Sequence, residues 1–406
     1  MSGSVGANVP VRIAVALGLI GALGPSAVDM YLSSLPDIAR EFGTSFASAQ
    51  LTLTFFLLAM GAGQLVFGPV VDAYGRRRPL LAGLALFTVC SFGAAWAPSL
   101  DILIGFRFVQ GLGSALTLVV IMSMVRDIST GVAAAKLFAM LMTIEGVAPI
   151  LAPAAGGLVD SHFGWRAVML VLAALGILVL LNSWVALPET LPPRKRVALS
   201  LGTVCRTYVA IAKDRAFLMP ALAVSAVFFF LFAYIGGATL VYQESYGLSA
   251  QQFGLLFGAT GITIIFGAMV AGKMVSRFGL GKLSMLGVTC MAIGAIVSFA
   301  SAASGVGLVG VVAGMAIALF GLGIAESTLM SLVMSSQDKA LGSTAALLGA
   351  FQLSLSSTAT PLAGLIVQQG AVAWTALLAV STLVVCILTK ISVPASDAET
   401  YNLAEH

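Results

Sequence analysis

The sequence predicts an all-α integral membrane protein, with twelve transmembrane helices in two pseudo-symmetric six-helix bundles. Three observations carry that prediction. Apolar residues make up 59% of the 406-residue chain, charged ones 9%, and mean hydropathy is +1.06; a soluble domain carries about 25% charged residues. The apolar residues gather in twelve runs, each close to the roughly 20 residues that a membrane-crossing helix needs. The stretch GPVVDAYGRRR at Gly68–Arg78 returns in worn form as GKMVSRFGLGK from Gly272, so that Gly68 matches Gly272 and Gly75 matches Gly279, 204 residues on. Pro153 with Pro361 and Trp165 with Trp374 repeat at offsets of 208 and 209. Duplicated halves are a signature of secondary transporters, whose substrate site lies between the repeats.

Charge, proline and glycine mark the loops between spans. Span 1 lies near 12–34 and carries Asp29. Its length, that acid and the lack of a small-residue cleavage site set it apart from a cleaved signal peptide. Spans 2 and 3, near 48–70 and 79–97, flank the Gly68–Arg78 loop. Span 4 (101–124) opens at Asp101 and contains Arg107; spans 5 and 6 fall near 135–158 and 165–186. The longest break, 188–215, is Pro-rich, basic and weakly amphipathic, and reads as a cytoplasmic connector. Six more spans follow near 216–242, 250–271, 282–301, 305–334, 342–367 and 371–391. The expected organisation is a bundle over 1–187, the connector over 188–215, and a second bundle over 216–406.

Lysine and arginine orient the helices. With the N-terminus inside, 17 of the 20 basic residues fall on the cytoplasmic side, Arg40 and Arg166 lie outside, and Arg107 is within a span. Both termini are therefore expected in the cytoplasm. The net charge of +4 is scattered in short loops and gives no reason to expect nucleic acid. The four cysteines show no CxxC spacing, and His162 and His406 are the only histidines, so neither a metal site nor histidine-based catalysis is expected. There is no Walker A loop. GVGLVG at Gly305–Gly310 has no strand before it and reads as helix packing. The GxxxG spacings at Gly254–Gly258 and Gly310–Gly314 read as packing within the chain. Nothing points to an enzyme or a cofactor, and because one chain holds both halves a monomer suffices.

The Gly68–Arg78 loop combines Gly68 and Gly75, which permit tight backbone approach, with Asp72, which is placed to cap a following helix or to pair with an arginine. The loop resembles the signature Gly-x-Leu-Ala-Asp-Arg-x-Gly-Arg-Lys of the major facilitator superfamily. Asp72, Gly75, Arg76 and Arg77 match it, and Val70 and Ala73 depart from it. The resemblance implies that family's fold and a charge-relay latch between the halves, with part of the network missing at position 73. LIGFRFVQGLGSA from Leu103 is similar to the family's Leu-xxx-Arg-xx-Gln-Gly-x-Gly-Ala-Ala through Arg107, Gln110, Gly111, Gly113 and Ala115, a motif associated with proton coupling. APILAPAAGG, with Pro149, Pro153, Gly156 and Gly157, resembles the antiporter signature Gly-xxx-Gly-Pro-xx-Gly-Gly, its leading glycines replaced by Ala148 and Ala152. With DMYLSSLP at Asp29–Pro36 and VRD at Val125–Asp127, the likeness narrows to the drug:proton antiporter group and its Bcr/CflA branch. That branch exports compounds such as bicyclomycin and chloramphenicol in exchange for protons, which implies the bacterial inner membrane and protons as the coupling ion.

Ionisable residues inside a bilayer are costly and are functional candidates by default. Four fall within the predicted spans: Asp29, Arg107, Glu145 and Glu326. Asp29 lies seven residues before Pro36, and Arg107 six after Asp101, which puts both about 9–10 Å below the outer boundary. Equal depth predicts that Arg107 sets the proton affinity of Asp29; the alternative is a static salt bridge. Glu145 shares a helical face with Pro149, Ala152 and Gly156, and reads either as a second proton or cation site or as a neutral carboxyl in a packed interface. Glu326 reads as a substrate contact on span 10 or as a carboxyl near the inner water boundary. Tyr31, Phe55, Gln64, Gln110, Phe228, Tyr234, Tyr242 and Gln243 are candidates for the central cavity, with packing the alternative for each. The expected partners are the lipid bilayer and a small molecule. That molecule is a drug on the first reading and a metabolite, such as an amino acid or nucleoside, on the second. A membrane sensor or enzyme would need an added domain or a catalytic constellation, and neither is present in the sequence.

Overall fold

A computed structural model describes residues 10–129, 131–196, 201–336 and 341–403. Within them the side chains at 126, 131–136, 138–140, 142–146, 149, 150, 195, 201, 203, 341 and 394–403 stand outside the description. The described residues form helices and no strand.

The first span is α1 (Val11–Asp29), continued through a 3₁₀ turn at Leu32–Ser34 into α2 (Leu35–Glu41). The axis breaks beside Asp29, between Pro25 inside α1 and Pro36 at the start of α2. Next come α3 (Phe46–Tyr74) and α4 (Arg77–Ala95), then α5 (Leu100–Ile128), α6 (Gly131–Phe163) and α7 (Trp165–Ala186). Ser45 and Ser99 accept the N–H groups of Ser48 and Ile102, which satisfies donors that the starts of α3 and α5 would otherwise leave orphaned.

The connector contains a further helix, α8 (Leu201–Lys213). Its amphipathic face buries Ile211, and the Tyr208 hydroxyl donates to Leu65 O at 3.2 Å. The second half holds α9 (Arg215–Leu240), extended by a π-helical turn at Val241–Ser245, then α10 (Ala250–Ala303), α11 (Leu308–Ser335), α12 (Leu341–Ile366) and α13 (Ala371–Leu403). At 54 residues α10 would run about 80 Å, far beyond one bilayer crossing. Gly279 (φ 75°) kinks it into two arms that correspond to predicted spans 8 and 9. Counting those arms and α6, the helices make the twelve crossings that the sequence predicts.

In the first half α3 and α4 pack on α5, α4 on α7, and α1 on α6. In the second half α10 packs on α11, and α9 on α12 and α13. The halves meet along two seams, α3 on α12 and α6 on α10. The end of the bundle that carries the Gly68–Arg78 loop, α8 and the kink at Gly279 is called the basic end below.

Candidate functional site

Arg107 is fully buried on α5, seven residues from its start, and it is caged. Its Nη1 donates to Gln110 Oε1 at 2.6 Å and its Nη2 to Ala27 O on α1 at 3.0 Å. The guanidinium carbon lies 4.5 Å from the ring centroid of Tyr31 and 4.4 Å from that of Phe56, inside cation–π range on both. Gln110 passes the network on, its Nε2 donating to Ser91 Oγ at 2.6 Å. Tyr31 is held by Thr52, hydroxyl to hydroxyl, at 2.8 Å. The two rings take the place of a carboxylate as the cation's neighbours.

Asp29 is 5% exposed and has no hydrogen bond or ion pair among the described residues. This corrects the expectation of an Asp29–Arg107 pair. The two residues share a level, but Arg107 reaches the carbonyl of Ala27, two residues back along α1. Depth follows from residue counting; the facing of side chains depends on rotation about each helix axis, which counting leaves free. Between α1, α3 and α5, starting one turn from Asp29 toward the basic end, lies a cavity of about 100 Å³. Gly21, Gly24, Pro25, Met60, Ser114 and Thr117 line it, and the Ser114 hydroxyl is buried there without a partner. It has room for about three waters.

The other candidates separate. Gln110 belongs to the arginine cage and not to a substrate cavity, because both ends of its amide are engaged. Phe55 shares an exposed apolar stripe with Leu58 and Val66, edge-on to Phe108 at 6.5 Å, and so leaves the central cavity. Tyr234 is also corrected: it is fully buried, bonded to Thr260 at 3.1 Å and stacked on Phe257 and Trp374. Tyr242, Phe253 and Phe257 complete that aromatic cluster, and Phe228 is partly buried. Gln64 is buried at the seam between halves, where its amide fills the space that a side chain at Gly349 would need. Gln243 donates to Ser33 O across the halves at 3.3 Å. Glu326, half-buried on α11, has no partner among the described residues, and the Ser327 and Thr328 hydroxyls beside it bond back to their own helix. It sits about 13 Å from the basic end of α11, a different level from Asp29. The side chains of Glu145 and Pro149 lie outside the described residues.

The rest of the Pro149–Gly157 motif forms the seam. Gly156 abuts the backbone of Met30, Gly157 that of Ala250, and Pro153 O faces Gly254, all too close for an added Cβ. On the other seam the Gln50 amide donates to Gly236 O, and Thr54 meets Thr360 at 2.9 Å. These contacts lie toward the end opposite the basic end, where the halves are pressed together.

At the basic end Asp72 pairs with Arg76 at 2.6 Å, and Arg76 also holds Asp127 on α5 at 2.8 Å. Thr190 donates to Asp127 at 2.9 Å. The sequence left Asp72 a choice between capping and pairing, and it pairs. Glu189 caps α4 instead, accepting the N–H groups of Arg76 at 2.9 Å and Arg77 at 3.3 Å. Sequence reasoning missed Glu189, although it stands in the connector that the same reading identified. Arg77 donates to Trp184 O at 2.7 Å, and Gly68 packs near the Tyr208 hydroxyl. For Glu189, burial alone would raise the pKa; the N–H groups of Arg76, Leu191 and Arg77 and the charge of Arg196 outweigh it and hold the carboxyl below its ordinary 4.5. For Arg76, burial alone would lower the pKa, and the bonds to Asp127 and Asp72 reverse the direction.

Comparison with known proteins adds three likenesses to a family match. Residues 17–361 match the family described as Major Facilitator Superfamily. The chain is 37% identical over 363 residues to YdgK of Bacillus subtilis (strain 168), described as an uncharacterized MFS-type transporter, covering 87% of this chain and 89% of that one. It is 32% identical to a chloramphenicol resistance protein of Pseudomonas aeruginosa, over 68% of this chain and 65% of the relative. The fold matches the crystal structure of a D-xylose-proton symporter with a TM-score of 0.71 at 16% identity, covering 92% and 97% of the two chains.

Proposed function

This chain belongs to the major facilitator superfamily, and within it we propose that it is a proton-coupled exporter of small amphipathic drugs, exchanging them for protons across the bacterial inner membrane. One observation carries the reading: Asp29 is a buried carboxyl with no partner among the described residues, on a helix that a caged arginine grips two residues away. An ionised carboxylate in that position lacks any compensating group, so its proton leaves only when α1 rearranges or water arrives. Pro25 and Pro36 give α1 the break at which such a rearrangement is absorbed. Arg107 then acts through the backbone: its bond to Ala27 O ties the position of Asp29 to α5.

With the basic end in the cytoplasm, the pressed seam is the outer gate and drug enters from inside. The 100 Å³ cavity beside α1 is far smaller than the roughly 300–1,000 Å³ of a drug pocket, so the drug site assembles as the halves rock. Protons bound at Asp29 from outside are released inside; the Asp72–Arg76–Asp127 cluster, which here joins elements of the first half alone, would latch the inner gate in the opposite state only by exchanging a partner for one on the second half. One charge moving through 100 mV releases about 2.3 kcal/mol, enough for a roughly forty-fold drug gradient. The relative named for chloramphenicol resistance supports the substrate class. One chain carries both halves, and the working unit is a monomer.

The test is accumulation of labelled chloramphenicol in pump-deficient cells that express the chain. Low accumulation that rises with a protonophore, and that is high throughout in Asp29→Asn, is the expected result. Accumulation equal to that of empty cells would shift the reading to metabolite export.

A further inference from the structure

The seam at the outer gate holds a second acid that the mechanism above does not use. Asp160 lies near the end of α6, three residues after Gly157, and is 4% exposed. Both of its carboxylate oxygens are buried without a well-formed hydrogen bond among the described residues. The Ser34 hydroxyl faces it and is also buried without a well-formed bond. Asp37 and Arg40 on α2 are the charged groups that face it, and they are paired with each other. From α7, Arg166 is engaged by Glu41 and Ala97 O. No cation among the described residues forms an ion pair with Asp160.

The groups that face it belong to its own half, but they border the surfaces that separate when the outer gate opens. Gly157, one turn before Asp160, lies against Ala250 of the other half, and Ser33, next to Ser34, receives the inter-half bond from Gln243. Parting α6 from α10 and the Leu32–Ser34 turn from α9 admits external water to the Asp160 carboxyl. We propose that Asp160 is a second proton-binding site, built into the outer gate, which takes up its proton as the gate closes and gives it to the external medium as the gate opens. The sign follows from burial: the closed gate excludes the charged form, so proton loss favours opening and rising pH opens the gate. The proposal rests on alternating access and on the orientation given above, but not on Asp29 being the coupling acid.

The experiment places spin labels at the exposed positions Ser161 and Gln251, on either side of the gate, in a full-length chain whose four cysteines are replaced. Distances are read in nanodiscs without drug between about pH 5 and pH 8, a range in which a perturbed carboxyl titrates. The background carries Asp29→Asn, so that the coupling site contributes nothing. The expected result is a shift toward long distances as pH rises, lost on adding Asp160→Asn and kept on adding Asp160→Glu, with all variants monodisperse on gel filtration. A flat response in the Asp29→Asn background, or a pH shift that survives Asp160→Asn, would overturn the proposal. Failure of drug export would show separately, in the accumulation assay, and leave this outcome readable.

Discussion

At the basic end the two halves share a backbone and differ in charge. Gly75 and Gly279, 204 residues apart, both take positive φ, 93° and 75°, and each turns one membrane helix into the next. Around Gly75 stand Asp72, Arg76, Asp127, Glu189 and Arg196, joined by ion pairs and N–H bonds. The corresponding positions of the second half hold Ser276 for Asp72 and Leu280 for Arg76, and Arg277 is exposed over the ring of Phe278. Among the described residues no ion pair forms there. Turn geometry depends on glycine alone and survives duplication; a charge network needs several elements at once and is kept where it is used.

The opposite end repeats the lesson. Tyr31 bonds Thr52 and Tyr234 bonds Thr260, so each half ties its first helix to its second in the same way. The first half then lays Arg107 on the tyrosine ring, and the second lays Phe257 and Trp374. Three pairs of substitutions and one pH dependence sharpen or break this contrast. The largest effect is expected from Arg107→Lys, which loses the planar fork and the stacking; transport should be abolished and stability lowered by about 2–3 kcal/mol. Tyr234→Phe removes one hydroxyl bond and should cost about 1 kcal/mol with transport retained. Thermal unfolding in detergent and drug uptake check both, and equal outcomes would dissolve the asymmetry.

Arg76→Gln should follow, at about 2 kcal/mol together with impaired transport, because it breaks two bonds of a buried guanidinium. Arg277→Gln, on the exposed counterpart loop, should stay within about 0.5 kcal/mol of the parent chain. Next are the glycines. Each costs about 1–3 kcal/mol for a Cβ at positive φ with extended ψ, a region that only glycine adopts readily, but at Gly75 the new methyl also meets Glu189 Oε2 at 2.5 Å, whereas at Gly279 nothing lies within 4 Å. Gly75→Ala should therefore melt below Gly279→Ala.

The smallest effect is a pH dependence. The folded state holds the Glu189 carboxyl below 4.5, so its contribution is complete above that pH and is lost as pH falls through the lower folded-state value. The melting difference between the parent chain and Glu189→Gln should narrow on acidification. A constant difference would remove Glu189 from the charge network.

Much of the architecture was legible because membrane helices announce themselves by run length, and because glycine and proline at Gly75, Gly279 and Pro153 mark turns and seams in linear sequence. The kinked α10 corresponds to two predicted spans for that reason. The side-chain partnerships were less legible. Asp29 and Arg107 stand out in the sequence as ionisable residues within apolar spans, but equal depth does not set their facing, and the rotation of α1 turns the carbonyl of Ala27 toward the guanidinium. Tyr31 and Phe56 as the walls of the cage, and Glu189 as the cap of α4, depend on contacts between helices or between loop and helix. The spacing of Arg107 and Gln110, three apart on one helix, was the signal that would have placed Gln110 beside the arginine.

The most direct test of the account follows proton movement itself. Energised inside-out vesicles carrying a pH-sensitive dye would receive chloramphenicol, florfenicol and bicyclomycin in turn, with Asp29→Asn and empty vesicles alongside. The account predicts that at least one compound restores dye fluorescence by releasing lumenal protons, and that Asp29→Asn abolishes the response. Proton release that persists undiminished in Asp29→Asn, or silence from correctly folded protein across the panel, would contradict it.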